Sequence, residues 1–376
     1  MTFELTKRIA IIESGHFEVT HTLLRLFDNG HHHLTVFIDA SSLRQLQFLA
    51  GEKNNQLTWV VRPETESNRA FIARIFDHLQ AQPFDLVCFS TINDNFILYA
   101  NGIKKLNTKT TMIVHDINSY FTWQPAPSLR RMVRYLGKRS LIRQAASFIV
   151  LGEQLAENLR SKLRGSKEVY HIPGGLFEAE NYQPLPLPAN ESIRIVIPGS
   201  VDERRRDYRQ VFALLRLADE QKIDIAVMLL GRFHPEHGRQ VRAWCEAYPD
   251  NGRLRYFDES LIDQPLFDKY IRQSHLLWLP LQHDTIINDG VKETYGETIC
   301  SGNIGDVIRH AKPFLLPANI KVDKALEPAA IRYRSPQDLL EKLSKTNLAE
   351  YNAAALACAQ YYTIENIRAR VPSLFQ

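Results

Sequence analysis

Hydrophobic runs long enough to cross a bilayer are missing from this 376-residue sequence. Apolar stretches such as Leu276–Leu281 fall far short of the roughly 18 residues that a membrane span needs. Any membrane contact is therefore expected to be peripheral. The amino terminus runs directly into Arg8–Ile12, with no long apolar region and no cleavage site of small residues, so no signal peptide is read there. Cysteine is scarce. Cys88, Cys245, Cys300 and Cys358 are scattered with no CxxC or Cys/His ligand spacing, which argues against structural zinc and a disulfide framework and fits a reducing cytoplasm. A strong charge bias is also missing. The formal net charge of +4 suits an anionic ligand or lipid surface, and no nucleic-acid partner is expected.

What is present is ordinary globular usage, 44% hydrophobic and 23% charged, enough for each half of the chain to bury a core. The length suggests two domains of roughly 100–200 residues. Short apolar, often β-branched runs at Arg8–Ile12, Leu34–Ile38, Leu57–Val61, Leu86–Phe89, Thr111–Val114 and Phe148–Leu151 read as strands, with helical patterns between them. That alternation predicts parallel βαβ units. After Val169–Ile172, the segment 178–192 carries Pro184, Pro186 and Pro188 and reads as a linker. The pattern restarts at Ile193–Pro198 and continues at Ile225–Leu230, Leu254–Phe257, Leu276–Leu279 and Pro313–Leu316. The expected class is α/β: two doubly wound Rossmann-like domains, 1–177 and 193–362, facing across a cleft. Residues 363–376 read as a helix that returns to the first domain. Ligands of such sheets lie outside the carboxyl ends of the strands, so the cleft is the expected site.

Several segments could supply chemistry there. The stretch Lys292–Pro313 joins a glycine-bearing loop to a short helix and a strand. Ser301, Gly302, Asn303, Ile304 and Gly305 would let helix-start amides approach a phosphate, and Asp306 could accept hydrogen bonds from ribose hydroxyls. Turn geometry alone accounts for those glycines equally well. At Gly199-Ser200 a strand ends in a small turn, followed by Arg204, Arg205 and Arg206, whose forks suit phosphate oxygens. At least one of the three must point away from a common ligand. Ser14-Gly15-His16 and His115-Asp116-Ile117-Asn118 follow strands of the first half. His16 and His115 could contact a sugar or assist an acceptor, although a histidine at a strand end is more often a satisfied polar group. His115, with Asp116 and Asn118 beside it, is the better candidate. The basic amphipathic segment 129–146 reads either as a membrane-surface helix or as a packed helix with a solvated basic face. His31-His32-His33 reads as a loop and not as a metal site, because adjacent residues do not converge on one ion.

Together these pieces resemble the glycosyltransferases of the GT-B fold, specifically the retaining, family-4-like enzymes, over nearly the whole chain but with degenerate motifs. In that family a Glu-x7-Glu pattern precedes a Gly-x-Pro turn. Counting back from Pro313, its second Glu falls on Asp306 and its first on Thr298, with Glu297 one residue away. The family's Gly-Arg and Lys diphosphate motif falls on Gly199, Ser200 and Arg205, with Arg204 or Arg206 as a second cation. The resemblance implies a hexosyltransferase that moves a sugar from a nucleotide-sugar to a glycan, lipid-linked or other small acceptor, retaining, independent of metal and without a cofactor. It implies catalytic roles for His115, Arg205 and Glu297. It implies donor contacts at Gly15, His16, Gly199, Ser200, Arg204, Ser301, Gly302, Asn303, Ile304 and Asp306. A role in bacterial polysaccharide or glycoconjugate synthesis follows, in the cytoplasm or at the inner face of the membrane. Two alternatives stay open: a nucleotide-sugar epimerase on the same fold, and a non-catalytic binding or regulatory protein.

Overall fold

The computed structural model describes residues 6–50, 57–125, 127–185, 192–257, 261–287, 290–345 and 347–375, so 186–191 of the expected linker lie outside the described residues. Seven strands of the first half form one sheet: β1 (Arg8–Ile12), β2 (His33–Asp39), β3 (Leu57–Arg62), β4 (Leu86–Phe89), β5 (Lys109–Ile113), β6 (Ser147–Val150) and β7 (Glu168–His171). All pair in parallel, in the order β3-β2-β1-β4-β5-β6-β7. Runs such as Ile9-Ala10-Ile11-Ile12 are buried along their length, as strands covered by helices on both faces must be.

The second sheet contains β8 (Ile193–Pro198), β9 (Ile225–Leu230), β10 (Leu254–Tyr256) and β11 (Leu276–Trp278). A hairpin, β12 (Asp284–Ile287) with β13 (Val291–Thr294), follows, and then β14 (Phe314–Pro317) and β15 (Ala330–Tyr333). The parallel order is β10-β9-β8-β11-β14-β15, with the hairpin standing apart. The architecture is the expected pair of doubly wound α/β lobes. In each sheet the order reverses beside its first strand, at β1/β4 and at β8/β11, which opens a crevice at the carboxyl ends.

Three local expectations need correction. The stretch 291–294 is a strand and not loop. Its inward residues are Val291 and Glu293, and a buried carboxylate hides the apolar alternation of a strand. The four residues of β15 also went unread as a strand. The terminal helix is broken into Ile364–Arg370 and Pro372–Phe375, because Pro372 has no N–H to continue the ladder and disfavours helical backbone at Val371. This end of the chain packs on the first lobe: Arg368 donates to the carbonyls of Leu26 at 2.8 Å and Asp28 at 2.9 Å.

Candidate active site

A cavity of about 490 Å³ lies between the lobes at the two crevices, with residues of both lobes in its walls. From the second lobe come Gly199 and Ser200 after β8, Arg205 and Arg206, and the whole run Ser301–Asp306 that begins the helix Asn303–His310. From the first lobe come His16 after β1, Thr91 and Asn93 after β4, and His115 and Asp116 after β5. The lobes approach closely here. A side chain on Gly175 would run into the backbone of Gly305, so glycine is required for the contact.

The arginines divide their work. Arg204 forks onto Asp202, with Nη2 to Oδ2 at 2.7 Å, and lies off the cavity. Arg206 is buried and donates to Ser200 O, to Pro198 O at 2.9 Å and to Asn303 Oδ1 at 2.7 Å. It therefore fastens the β8 turn to the start of the 303–310 helix. Arg205, its side chain half exposed, reaches Asp202 only at 3.9 Å and lines the cavity. Of the three, Arg205 has the freedom to meet a ligand's phosphate.

Asp306 lines the cavity on the first turn of its helix, and Asn303 Nδ2 donates to it at 3.3 Å. Burial pushes its carboxyl up to about 6, while Arg309 and His310 pull the other way. His115 and His16 pack against each other with ring centroids 4.5 Å apart and the ring planes tilted by 36°. Burial lowers the pKa of both, to about 3 for His115, where His16 adds to the effect. His115 is therefore neutral near pH 7. Its Nε2 lies 3.0 Å from Ser90 O, and since a carbonyl can only accept, that nitrogen holds the proton. Nδ1 is left as an acceptor suited to a hydroxyl. Beneath the loop after β1, the buried Glu13 accepts the N–H groups of Gly15 and His16 and the hydroxyl of Thr20 at 2.6 Å. Nothing in the spacing of the sequence marked Glu13, because it reads as the end of an apolar strand.

Besides Arg204, three expected residues do not join the cavity. Gly15 sits behind it, where a Cβ would come 2.6 Å from Asn93 Nδ2. Thr298 is buried in the turn after β13, its Oγ1 accepting Thr294 N–H at 2.8 Å. Glu297 pairs with Lys321 at 2.7 Å, away from the cavity. The one-residue shift that would put Glu297 in the family's first Glu position does not occur, because Gly296–Ile299 forms a tight turn pinned to Thr294.

Residues 14–180 match the model of a family described as Glycosyltransferase Family 4. No curated protein matches the chain. Among solved structures, Anabaena HepE in complex with UDP and glucose superposes with a TM-score of 0.60 at 11% identity, covering 98% of this chain and 99% of that one. A glycosyltransferase from Rickettsia africae gives 0.59 at 12% identity, covering 98% of each chain. A putative UDP-N-acetylglucosamine 2-epimerase from Listeria monocytogenes gives 0.57 at 13%, covering 99% of this chain and 97% of that one. The chain has the GT-B fold over its described residues and is similar, through its first lobe, to the glycosyltransferases of family 4.

Proposed function

We propose that the protein is a glycosyltransferase that binds a nucleotide-sugar donor in the interlobe cavity and transfers the sugar to an acceptor held by the first lobe. The observation that carries this is the convergence of Arg205 and the start of the 303–310 helix with the His16–His115 pair in one cavity. Charge developing on the departing diphosphate would meet Arg205 and the start of the 303–310 helix, groups already oriented before reaction. Asp306 would accept the ribose hydroxyls, and His115 Nδ1 a hydroxyl of the transferred sugar. The reading is of retaining transfer that needs no metal, since Arg205 and the helix start supply the positive charge. UDP is the first nucleotide to test, because Anabaena HepE was solved with UDP.

The helix Leu129–Gln144 supports a membrane-facing acceptor. Leu129, Met132, Val133 and Leu136 form an exposed apolar stripe at helical spacing, with exposed Arg130, Arg131, Arg139 and Arg143 around it. No helix among the described residues is long and apolar enough to cross a membrane. We place the protein in the cytoplasm with this face at the inner leaflet.

The test is turnover of radiolabelled UDP-glucose and UDP-N-acetylglucosamine, with and without glycan or lipid-linked acceptors. Sugar transfer or slow donor hydrolysis supports the reading. An isomerised nucleotide-sugar formed without acceptor identifies an epimerase instead. Failure to bind any nucleotide or nucleotide-sugar leaves the non-catalytic alternative.

A further inference from the structure

Behind the loop after β1 the first lobe holds a smaller cavity of about 220 Å³, room for a single sugar ring. Strand ends build it: Glu13 and Ser14 follow β1, Asp39 ends β2 and Arg62 ends β3. Asp94, after β4, and Tyr99, on the helix Phe96–Ile103, complete the polar wall, and Phe71 supplies an apolar one. Asn93 lines both this cavity and the interlobe cavity, so the two adjoin. The partition is thin. Asn93 Nδ2 donates to Ser14 O at 2.9 Å, and Gly15 leaves no room there for a side chain.

The groups of this wall differ in what they already hold. Glu13 is occupied by Gly15, His16 and Thr20. Asp39 caps the helix that follows it, accepting from Ser41 and Ser42. Asp94 accepts Asn68 and Asn95, each at 2.8 Å, on Oδ1 alone, which leaves Oδ2 open. Two donors have no hydrogen-bond or ionic partner among the described residues: the guanidinium of the half-buried Arg62 and the hydroxyl of Tyr99. Tyr99 is 3% exposed. Its ring packs edge-on against Phe76 and Phe89, a place that a phenylalanine would fill as well. Burial and the charges of Asp94 and Glu13 push its ionisation up while Arg62 pulls the other way, so the hydroxyl lies among three walls of this cavity and keeps its proton. A buried hydroxyl and a guanidinium left unmatched are costly until something enters to meet them.

What enters must accept from Arg62, pair with Tyr99 Oη and donate to Asp94 Oδ2. Adjacent hydroxyls of a sugar ring do all three, since each both donates and accepts. Phe71 offers a surface for the apolar face of such a ring. The carboxylates Glu13, Asp39 and Asp94 against the one guanidinium disfavour a phosphate or carboxylate ligand. We propose that this cavity seats an uncharged sugar ring and, given the function proposed above, that the ring is part of the acceptor, placed beside the donor across Asn93.

The test measures binding of the methyl glycosides of glucose, galactose and mannose by saturation-transfer NMR and calorimetry, with and without UDP. At least one is expected to bind. Tyr99→Phe, which keeps the ring packing, is expected to weaken it about fivefold, the loss of one neutral hydrogen bond. Arg62→Met is expected to weaken it about tenfold or more, the loss of a charge-assisted one, and both variants should keep the UDP affinity of the wild type. Arg69→Gln, exposed on the helix after β3, should leave sugar binding as it is. The glycoside that binds should accept radiolabel from the donor or slow its transfer to other acceptors. Binding of none of them, binding that both variants leave unchanged, or an Arg62-dependent preference for glucose 6-phosphate over methyl glucoside overturns the proposal. A ring that binds here but neither accepts nor competes overturns its assignment to the acceptor. Failure of UDP to bind would instead count against the donor reading, and the glycosides titrated into nucleotide-free protein would still decide this one.

Discussion

Glu293 joins the lobes through Ser119: its carboxylate, on the hairpin of the second lobe, accepts the Ser119 N–H of the first lobe at 2.8 Å and that of Asn118 at 3.2 Å. Ile117 N–H adds a bond to Thr298 O at 2.8 Å. The segment that follows His115 is thus held from across the cleft. Burial raises the Glu293 carboxyl to about 7 against the hydrogen bonds that oppose it.

That shift fixes a sign. The folded value exceeds the ordinary 4.5, so between about 4.5 and 7 the native state holds a proton that the unfolded chain has released. The associated stability is present at the acid end and is lost as pH rises through 7. Thermal melts across this interval should show the wild type losing more stability than Glu293→Gln. Equal slopes would remove Glu293 as the linked group.

Asp306 gives the opposite dependence for binding. A carboxylate accepts hydroxyl hydrogens and its protonated form accepts them less well, so donor affinity should fall as pH drops below about 6. Calorimetry with UDP should show this in the wild type. Asp306→Asn should bind more weakly at neutral pH and lack the acid limb; an unchanged acid limb would assign it to another group.

Arg205 and Arg206 are neighbours with different expected phenotypes. Arg205→Ala removes only a 3.9 Å approach of a half-exposed guanidinium to Asp202, whose carboxylate keeps the closer Arg204. Its melting temperature should stay near wild type while turnover falls about a hundredfold or more, as when one preorganised charge-stabilising donor is lost. Arg206→Ala leaves Pro198 O without this donor and Ser200 O with only the 3.5 Å contact of Tyr208 Oη, and should destabilise the protein by about 3 kcal/mol. A stable Arg206→Ala with low turnover would reverse the two assignments.

Apart from β15, the strands of both sheets were legible because a parallel strand covered on both faces is a continuous apolar run, as Ile225–Leu230 and Leu86–Phe89 are. Strand ends then pointed to the loops at the crevices, and His16, His115, Gly199 and Ser301–Asp306 do line one cavity. What escaped notice depends on partners distant in sequence. Glu293 is buried because it caps amides more than 170 residues away, and the choice among Arg204, Arg205 and Arg206 turns on Asp202 and Asn303. Lys138 looked like one more charge on a basic helix until Gly137 brought it against Phe96.

The expected catalytic use of Glu297 gives the last prediction. Its carboxylate is held by Lys321 at 2.7 Å, both side chains partly exposed, and its carbonyl accepts Asn158 Nδ2 at 3.1 Å. The carbonyl contact does not depend on the side chain. An exposed ion pair contributes at most about 1 kcal/mol. Glu297→Gln should therefore keep kcat within about twofold of wild type and change the melting temperature little. A carboxylate acting on the sugar would behave otherwise, because a group used in the transition state typically contributes factors of about a hundred or more. A drop of that size in kcat with an unchanged melting temperature would mean that the 294–299 turn rearranges on donor binding and delivers Glu297 to the cavity.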